Sequence, residues 1–399
     1  MKSIVIFGAG KIGRSFIGQI FSKAGYELIF VDINKFLVNE INYNKHYNVI
    51  IRDLKDEIIP VYNVRAILLS DEDSILNELD KTTIAAVSVG KKGLPVLINI
   101  LAHSLERRQH RRPGSPLDLI IAENMRDADG YLRNELKKHL SPGFPLDTNI
   151  GLIATSIGKM VPLIREDQIN NDSLAVYAEA YNTLIVSKNG FLNPIPEIPE
   201  LAPKENIKAW ADRKLFIHNF GHASLSYLAA LKNPVYTFTW EALADKALYS
   251  EVFETMKESA AILKSLYPEE FSAEDLEMHI RELLKRFANK SLGDTIYRIG
   301  CDLDRKLGHD DRIVPLIRFA IQKKLPYSRI LKVLVAGIMF PAVDAKGMMI
   351  MDDRRFKTRY NQNIERILQD HCKFDASMDK QIFKEAVKIA GECRQKIII

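Results

Sequence analysis

A glycine motif near the start of the chain restricts the fold more than any other feature of the sequence. The pattern Gly-X-Gly-X-X-Gly follows an apolar strand predicted at Ser3 to Phe7 and opens a helix predicted to run to about Lys23. In this pattern the first glycine permits a tight turn, the second lets the backbone approach a pyrophosphate, and the third lets the helix pack on the strand. The N–H groups at the helix start then point at the phosphates. We therefore predict a nucleotide-binding loop made of Gly8, Ala9, Gly10, Lys11, Ile12 and Gly13.

An acidic residue ends the next predicted strand. That strand covers Glu27 to Asp32, and Asp32 lies nineteen residues after Gly13. A carboxylate at this place accepts hydrogen bonds from the adenosine ribose hydroxyls and repels a 2′-phosphate, so the sequence predicts NAD in preference to NADP. The alternative is that Asp32 only caps the helix that follows it. Val89, at the end of another predicted strand, is a further expected cofactor contact or else part of an ordinary strand-to-helix turn.

The pattern of apolar residues changes near residue 194. Before it, short apolar runs alternate with amphipathic segments, which is typical of β-α-β units with a parallel sheet buried on both faces. Four prolines then fall between residues 194 and 203, and long helical patterns with almost no strand signal follow. We predict an α/β fold with a Rossmann-type, doubly wound, mostly parallel sheet over residues 1–193, a proline-rich linker at 194–205 and an all-helical substrate and catalytic domain at 206–399.

Individual strands and helices follow from the same periodicities. Besides the two strands above, the first domain is predicted to have strands at Ala66 to Leu69, Thr83 to Val89 and Leu117 to Ala122, and a helix at Pro95 to Leu105. The second domain is predicted to have helices at Asn206 to Leu231, Trp240 to Leu266, Ala273 to Ala288, Asp310 to Gln322 and Arg329 to Met339. Ser272 is expected to begin the third of these helices.

The overall charge and the cysteines narrow the class of protein. With 56 basic and 51 acidic residues the net charge is +5, which favours a small anionic ligand without requiring nucleic acid. Four arginines between residues 107 and 112 lack aromatic neighbours and precede a Pro-Gly turn, which favours a solvated loop over a nucleic-acid contact. Three cysteines without paired spacing indicate reduced thiols in a cytoplasmic protein and no zinc site. No apolar run reaches the roughly 18 residues of a membrane span.

A helical segment of the second domain carries the candidate catalytic groups. At about 100° per residue, Lys214, Asn219 and His222 fall at roughly 0°, 140° and 80°, an arc that could line one wall of a cleft. A lysine with a lowered pKa can act as a general base, and an amide and an imidazole can donate hydrogen bonds to the substrate oxygen. The alternative is an ordinary polar helix face. His218 and His222 have the spacing of a zinc-binding helix, but no glutamate lies between them.

Six segments resemble one enzyme family, the polyol-specific long-chain dehydrogenases/reductases. They read FGAGKIGRSFIG, FVDIN, IIAENM, RKLFIHNFGHASLSYLA, DRKLGHDDRIVPLI and KKLPYSRI, and they run collinearly from residue 1 to about Phe340. The resemblance implies an NAD(P)-dependent enzyme that interconverts a polyol or aldonate and the corresponding ketose or keturonate without a catalytic metal. It implies that Lys214 takes the hydroxyl proton while Asn219 and His222 hold the oxygen.

The same resemblance suggests how the substrate is held. Arg298 and Lys306 match an arginine and a lysine, eight residues apart, that contact the distal part of the substrate in relatives, and Asn124 is a candidate contact to cofactor or substrate. Arg305 and Arg312 fit either this site or a salt-bridge network with nearby aspartates. The expected substrate pair is mannitol 1-phosphate and fructose 6-phosphate. Alternatives are a keturonate reductase, in which the same cations hold a carboxylate, and an NAD-sensing protein without catalysis.

The sequence departs from this family in two places on the expected substrate side. Relatives carry an Asp-Arg pair where this chain has Gly158 and Lys159, and a position near Ser187 that is often acidic in relatives is neutral here. Both departures bear on which substrate is used more than on the type of reaction. The expected partner is a small-molecule polyol or ketose substrate, and no nucleic-acid or membrane partner is expected. The sequence does not indicate an oligomeric state.

Overall fold

The chain divides into two compact units, residues 1–211 and residues 212–399. They come from a computed structural model that describes residues 2–53, 55–162 and 172–397, with side chains described through residue 395. Every strand of the described residues belongs to the first unit, and the second unit is helical. This confirms the predicted fold class, a Rossmann-type α/β domain followed by an all-helical domain.

The first unit is built on an eight-stranded, mostly parallel sheet. In chain order the strands are β1 Ser3–Phe7, β2 Glu27–Asp32, β3 His46–Ile51, β4 Glu57–Tyr62, β5 Val64–Leu68, β6 Ile84–Val87, β7 Leu117–Ile121, β8 Ile150–Ser156, β9 Val176–Ala178, β10 Leu184–Ser187 and β11 Leu201–Lys204. Their order across the large sheet is β11-β10-β8-β7-β6-β1-β2-β5. The strands from β8 to β5 in this order run parallel, and β10 pairs antiparallel with β8.

The central strands are apolar along their whole length because helices cover both faces of the sheet. In β1, Ile4 and Ile6 face one core and Val5 and Phe7 face the other, and all four are buried. The five strands predicted from apolar runs are all present, and β1 and β2 have the predicted bounds. The carboxyl end of β1 leads directly into the glycine loop.

A second, three-stranded sheet has the order β4-β3-β9 and was not predicted. Strands β3 and β4 form an antiparallel pair, and β9 adds in parallel to β3. Tyr47 on β3 is buried, lies edge-on against Phe30 of β2, and donates a hydrogen bond from its hydroxyl to the carbonyl of Arg14 (2.8 Å). The small sheet therefore supports the helical turn that follows the glycine loop.

The proline-rich segment differs from the linker expected at 194–205. Its last residues form β11, which pairs in parallel with β10 at the edge of the large sheet. Proline lacks a backbone donor, and an edge strand tolerates this because one side of the strand needs no partner. Pro203 lies in this edge strand. The first compact unit accordingly continues past residue 205 and ends at residue 211, inside the helix Ile207–Arg213.

Helices cover the sheet and form the whole second unit. In the first unit they are Gln19–Lys23, Lys35–Asn44, Glu72–Lys81, Leu94–Arg111, Ala128–His139 and Leu146–Asn149, with a π-helical turn at Gly13–Gly18. From the boundary onward they are Ile207–Arg213, a π-helical turn Lys214–Asn219, Phe220–Lys232, Thr239–Ala244, Lys246–Leu266, Ala273–Phe287, Ile296–Gly300, Leu303–Lys306, Val314–Lys323, Ser328–Met339, Met351–Tyr360, Ile364–Arg366, a π-helical turn Ile367–His371, and Lys380–Ile397.

The helix Phe220–Lys232 is the centre of the second unit. Its residues from Phe220 to Ala229 are buried except for the partly buried His222, and it packs against Lys246–Leu266, Ile296–Gly300 and Ser328–Met339. The predicted helix start at Ser272 is confirmed, because its hydroxyl accepts the N–H of Asp275 (2.9 Å). No helix in the described ranges is long and apolar enough to cross a membrane.

Candidate active site

The glycine loop of the first unit has the geometry of a phosphate cradle. Gly8 has a φ of +96°, and a Cβ there would lie 2.4 Å from the carbonyl oxygen of Ser88. At Gly13 a Cβ would lie 1.9 Å from the carbonyl oxygen of Gly8, whereas at exposed Gly10 it would meet nothing within 4 Å. The outer two glycines are thus fixed by packing, and the middle one leaves room for a ligand. A dinucleotide pyrophosphate fits this cradle.

The helix after the loop begins where the phosphates would lie. Helical structure starts at the exposed Lys11 and the partly buried Ile12, and the N–H of Arg14 donates to the carbonyl of Gly10 (3.0 Å). The N–H groups before Arg14 lie in the first helical turn, where no intrahelical acceptor is available. N–H groups in such a position are suited to donate to a pyrophosphate.

Asp32 is bonded to the glycine loop rather than to the helix that follows. One carboxylate oxygen accepts the N–H of Ala9 (2.8 Å), and the other accepts the N–H of Asn34 (2.8 Å). The helix Lys35–Asn44 is capped by Asn34, whose side-chain oxygen accepts the N–H of Leu37 (3.2 Å). The geometry therefore does not favour the alternative that Asp32 only caps this helix. Each of its oxygens retains a lone pair for a ribose hydroxyl.

Arg14 is a buried cation behind the glycine loop that the sequence reasoning missed. Its Nε donates to the carbonyl of Ala9 (2.7 Å), and its Nη1 donates to the carbonyl of Leu174. Loss of solvent lowers the pKa of Arg14, although Tyr47 and Asp32 oppose the shift. A buried charge without these acceptors would be costly, so Arg14 ties the loop to the small sheet. In the sequence, the sign of this residue is its position directly after the glycine motif.

Two further predicted contacts lie after β6 and β7. Val89 is partly buried, and the following Gly90 donates its N–H to the carboxylate of Glu123 (2.8 Å). Burial raises the pKa of Glu123, and the N–H groups of Gly90 and Val89 oppose the shift. Asn124 is exposed beside Glu123. Because both loops follow the carboxyl ends of parallel strands, Val89 and Asn124 lie at the same edge of the sheet as the glycine loop.

The candidate catalytic residues of the second unit lie on and just after a π-helical turn. Lys214 and Asn219 are the first and last residues of that turn, and His222 follows in the α-helix. In a π turn the hydrogen bonds join residues i and i+5, so Lys214 and Asn219 are more nearly aligned than the roughly 140° expected for an α-helix. The wider turn brings the three side chains closer to one direction than α-helical spacing allows.

Lys214 lies in surroundings that favour its neutral form. It is partly buried. Loss of solvent, assisted by the guanidinium groups of Arg312 and Arg305, lowers its pKa from 10.5 to about 8. A general base works best when its pKa is close to the working pH. Lys214 therefore has the electrostatic properties of a catalytic base, which its sequence position alone could not establish.

His222 presents a buried nitrogen without a partner. Among the residues that the structure describes, its Nε2 has no hydrogen-bond partner. Phe287 stacks on the imidazole with ring centroids 3.8 Å apart, and His218 lies edge-on at 5.1 Å. Burial, followed by the charge of Arg286, lowers the pKa of His222 well below 6.5, so the ring is neutral. A fixed neutral imidazole with an unsatisfied nitrogen is suited to receive a polar ligand.

The two cations predicted to hold the substrate are placed differently. Arg298 pairs with the buried carboxylate of Asp294, and its side chain is 41% exposed. Lys306 is only 6% exposed, and its Nζ donates to the carbonyls of Ile299 and Cys301, each at 2.5 Å. Burial and the charge of Arg312 lower the pKa of Lys306 to about 8. Arg298 thus keeps an accessible guanidinium, whereas Lys306 retains one N–H beyond its two bonds to the main chain.

The segment after Pro341 supports the turn that carries Lys306. Asp353 is fully buried, and its carboxylate accepts the N–H groups of Asp302 (2.9 Å) and Leu303 (2.5 Å). Burial raises the pKa of Asp353, although these two donors oppose the shift. The carboxylate satisfies the first N–H groups of the helix Leu303–Lys306, which have no partners within the helix. No role for this segment follows from the sequence alone.

At the two departures from the family pattern, Lys159 and Ser187 are buried within the first unit and Gly158 is partly buried. Lys159 is buried; its Nζ donates to Asn182 Oδ1 (2.9 Å) and Gln19 Oε1 (3.4 Å) and lies 5.3 Å from the ring centre of Phe16. Ser187 ends β10 and is buried. In the described ranges no group of three or more histidine, cysteine or acidic side chains could hold a metal ion.

Comparison with known families assigns both halves of the chain. A family described as the mannitol dehydrogenase Rossmann domain matches residues 2–200, and one described as the mannitol dehydrogenase C-terminal domain matches residues 206–390. The similarity therefore continues about fifty residues beyond Phe340, where the sequence motifs placed its end. The segment that contains Asp353 belongs to the shared domain.

Curated relatives are similar over most of the chain. Mannitol-1-phosphate 5-dehydrogenase of Buchnera aphidicola subsp. Acyrthosiphon pisum (strain APS) is 32% identical over 339 residues, covering 84% of this chain and 85% of the relative. The protein of the same name from Lactococcus lactis subsp. lactis (strain IL1403) is 30% identical over 330 residues, covering 82% and 84%. These identities confirm the resemblance seen in the sequence motifs.

Two solved structures share the fold. Pseudomonas fluorescens mannitol 2-dehydrogenase, in a ternary complex with NAD and D-mannitol, has a TM-score of 0.72 and 15% identity, covering 98% of this chain and 91% of that one. A substrate-free D-sorbitol dehydrogenase has a TM-score of 0.80 and 17% identity, covering 98% and 93%. At such identities the comparison establishes the fold alone.

Proposed function

The chain belongs to the mannitol dehydrogenase family of oxidoreductases, and we propose that it interconverts mannitol 1-phosphate and fructose 6-phosphate with NAD and with Lys214 as the base. The single observation that carries the proposal is the pairing of a lysine whose pKa is lowered to about 8 with a neutral imidazole on the same helical segment, whose Nε2 has no hydrogen-bond partner among the described residues. A polar helix face without chemistry would not require either feature.

The proposed reaction is hydride transfer coupled to proton transfer. Bound NAD supplies the acceptor for the hydride that leaves the carbinol carbon. The neutral amine of Lys214 accepts the proton of the carbinol hydroxyl, and its ammonium form returns that proton when the ketose is reduced. The amide of Asn219 and the Nε2–H of His222 donate hydrogen bonds to the oxygen as it changes between alcohol and carbonyl. In this role the His222 proton resides on Nε2.

The neutrality of His222 matters for this role. Its neighbours include several cations, and burial together with those charges keeps it uncharged at neutral pH. A neutral donor stabilises negative charge on the oxygen without giving up its own proton, so proton transfer is left to Lys214. The stack on Phe287 restricts the ring to one orientation.

The preference for NAD rests on Asp32. Its carboxylate is held at the end of β2 by the N–H groups of Ala9 and Asn34. A 2′-phosphate would bring a second negative charge to this place. Gly8, Gly10 and Gly13 would hold the pyrophosphate through the loop that they shape.

The phosphate is proposed to bind Arg298. Its guanidinium is the more accessible of the two predicted cations, and Lys306 adds a single remaining donor. A guanidinium fork binds phosphate and carboxylate alike, so this contact alone does not separate a sugar phosphate from a keturonate. The relatives of 30% and 32% identity, both named mannitol-1-phosphate 5-dehydrogenases, favour the phosphate.

Replacing Lys214 tests the proposal. Lys214→Ala is expected to lower kcat for fructose 6-phosphate reduction by about 10²- to 10⁴-fold, the usual contribution of a general acid or base. NADH affinity, measured by fluorescence titration, should remain within about twofold of the parent. Lys208→Ala is the matched control, because Lys208 is exposed on the preceding helix. A Lys214→Ala protein with unchanged kcat would remove Lys214 from the mechanism.

A further inference from the structure

Arg312 is a buried arginine that contacts the main chain of the candidate catalytic turn. It is 7% exposed. Its Nε donates to Asp311 Oδ1 (2.6 Å), and its Nη1 donates to the carbonyl of Asn219 (3.2 Å). That carbonyl lies where the π-helical turn Lys214–Asn219 passes into the α-helix Phe220–Lys232. Arg312 is therefore fixed on one side by a carboxylate and on the other by the end of this turn.

The charge of Arg312 reaches several of the groups around the turn. After desolvation, the charge of Arg312 is the largest cause of the lowered pKa of Lys214 and of Lys306. It also contributes to the lowered pKa of His222. An arginine stays protonated throughout the pH range of enzyme assays, so its field does not change as these groups titrate. Arg286 has a larger effect than Arg312 at His222.

Asp311 offsets only part of this positive charge. Its carboxylate is shared, because Oδ1 binds Arg312 and Oδ2 binds Arg305 (3.1 Å). Arg305 also pairs with Asp302, and half of its side chain is exposed, so solvent screens its charge. Arg312 is buried and screened less.

Other titratable groups near the turn come from neighbouring elements. His218 lies on the turn itself and is neutral, because burial lowers its pKa well below 6.5. The helix Ala273–Phe287 contributes Arg286 and His279, whose charges act on His218. It also contributes Glu282, whose pKa is lowered by its hydrogen bond to His279 and by nearby charges that include Arg213, the residue before Lys214. The two arginine charges that lower the pKa of Lys214 are Arg312, which has the larger effect, and Arg305.

We propose that Arg312 is a positioning residue for the catalytic lysine: it anchors the end of the π turn through Asn219 and keeps a fixed positive charge beside Lys214, which favours the neutral amine over the ammonium form. This inference rests on the proposed function, since it assigns Arg312 a role only if Lys214 is the base. It makes Arg312 part of the active site without direct contact to substrate.

The pH dependence of kcat/KM for mannitol 1-phosphate oxidation tests this role. We expect the kinetic pKa of the parent to follow that of Lys214, about 8. Arg312→Gln is expected to raise this kinetic pKa by about one unit, which lowers kcat/KM at pH 7 by about tenfold and lets activity approach that of the parent at high pH. Arg312→Lys keeps the charge and should keep the kinetic pKa near that of the parent. Asp311→Asn removes the offsetting carboxylate and should shift the kinetic pKa downwards.

Arg318→Gln is the matched control for loss of a guanidinium bound to main-chain carbonyls. Arg318 lies in the helix Val314–Lys323 and donates to the carbonyls of Cys372 and Lys373, which are not part of the turn Lys214–Asn219. It should leave the pH profile unchanged. NADH titration and thermal melting verify that each variant is folded, and if Arg312→Gln does not fold, the comparison of Asp311→Asn with the parent decides.

The outcomes separate the two proposals. An Arg312→Gln or Asp311→Asn protein with the kinetic pKa of the parent overturns the role of Arg312 while leaving Lys214 as the base. A Lys214→Ala protein that keeps full activity and the same pH profile overturns the proposed function, and the inference fails with it. Opposite shifts in Arg312→Gln and Asp311→Asn support the inference, because a purely structural role would give no such change of sign.

Discussion

Two glycines of the nucleotide-binding loop are expected to respond differently to the same added methyl group. At Gly13 a Cβ would lie 1.9 Å from the carbonyl oxygen of Gly8, whereas at Gly10 no heavy atom lies within 4 Å. The substitution therefore meets main chain at one position and open space at the other. The same substitution therefore tests packing within the loop at Gly13 and space for the cofactor at Gly10.

Gly13→Ala is expected to destabilise the protein. The Cβ and the oxygen of Gly8 would have to separate by about 1 Å to reach 3.0 Å, a distance below which such contacts are essentially never seen. Forcing extra volume into a packed site costs about 1–3 kcal/mol. Because the atoms that must move form the cofactor loop, NADH affinity should fall together with the free energy of unfolding.

Gly10→Ala is expected to spare the fold and weaken the cofactor. The φ of Gly10 is not positive, so alanine fits the backbone, and the free energy of unfolding should stay the same or rise by up to about 1 kcal/mol. The methyl group would occupy the approach of the pyrophosphate. We expect NADH to bind at least about tenfold more weakly, a change of about 1.4 kcal/mol in binding free energy.

Urea unfolding without cofactor measures the free energy of unfolding, and fluorescence titration with NADH measures the cofactor affinity. A Gly10→Ala protein that binds NADH within about twofold of the parent would refute the assignment of the open space to the cofactor. A Gly13→Ala protein as stable as the parent would refute the packing argument. If both variants lost stability and NADH affinity to the same extent, the two glycines would not have the separate roles of packing and cofactor space.

Two further predictions concern Asp32 and Lys214. Asp32→Ser removes a carboxylate oxygen that accepts the Ala9 N–H. The ratio of kcat/KM for NADH to kcat/KM for NADPH should then fall by about tenfold or more. An unchanged ratio would contradict the contact between Asp32 and the ribose. Because the pKa of Lys214 is lowered to about 8, kcat/KM for polyol oxidation should rise through about pH 8 and kcat/KM for ketose reduction should fall above it. Steady-state assays from pH 6 to 10 check both signs, and a profile that inflects only near 10.5 would disagree.

Local sequence signals were sufficient for the parallel sheet but not for the small one. The strands β1 and β2 are uninterrupted apolar runs next to a glycine turn, so their neighbours in the chain define them. The strand β9 pairs with β3 although Val176 and Val49 are far apart in the sequence, and β4 contains a proline and exposed residues. Such pairing depends on tertiary contacts that no local pattern records.

The candidate site shows the same division. Glycine spacing indicated the cofactor loop, and helical spacing brought Lys214, Asn219 and His222 into consideration. From the sequence, Arg312 fits either the substrate site or a salt-bridge network, because aspartates and arginines alternate around it. Burial makes Arg312 a stronger influence on the pKa of Lys214 than the half-exposed Arg305, and burial follows from packing. Asp353 gave no signal, since its partners lie about fifty residues away.

NADH oxidation by the purified protein with fructose 6-phosphate, fructose, fructuronate and tagaturonate in parallel tests the central claim most directly. We expect turnover with fructose 6-phosphate and a kcat/KM at least about tenfold below it for the other three compounds. Fructose offers Arg298 no anionic partner, and the carboxylate of a keturonate carries one negative charge where a phosphate carries about 1.5 to 2. Preference for a keturonate would contradict the phosphate assignment while keeping the cofactor and Lys214. Absence of turnover with all four, in protein that binds NADH, would contradict the proposed enzyme activity itself.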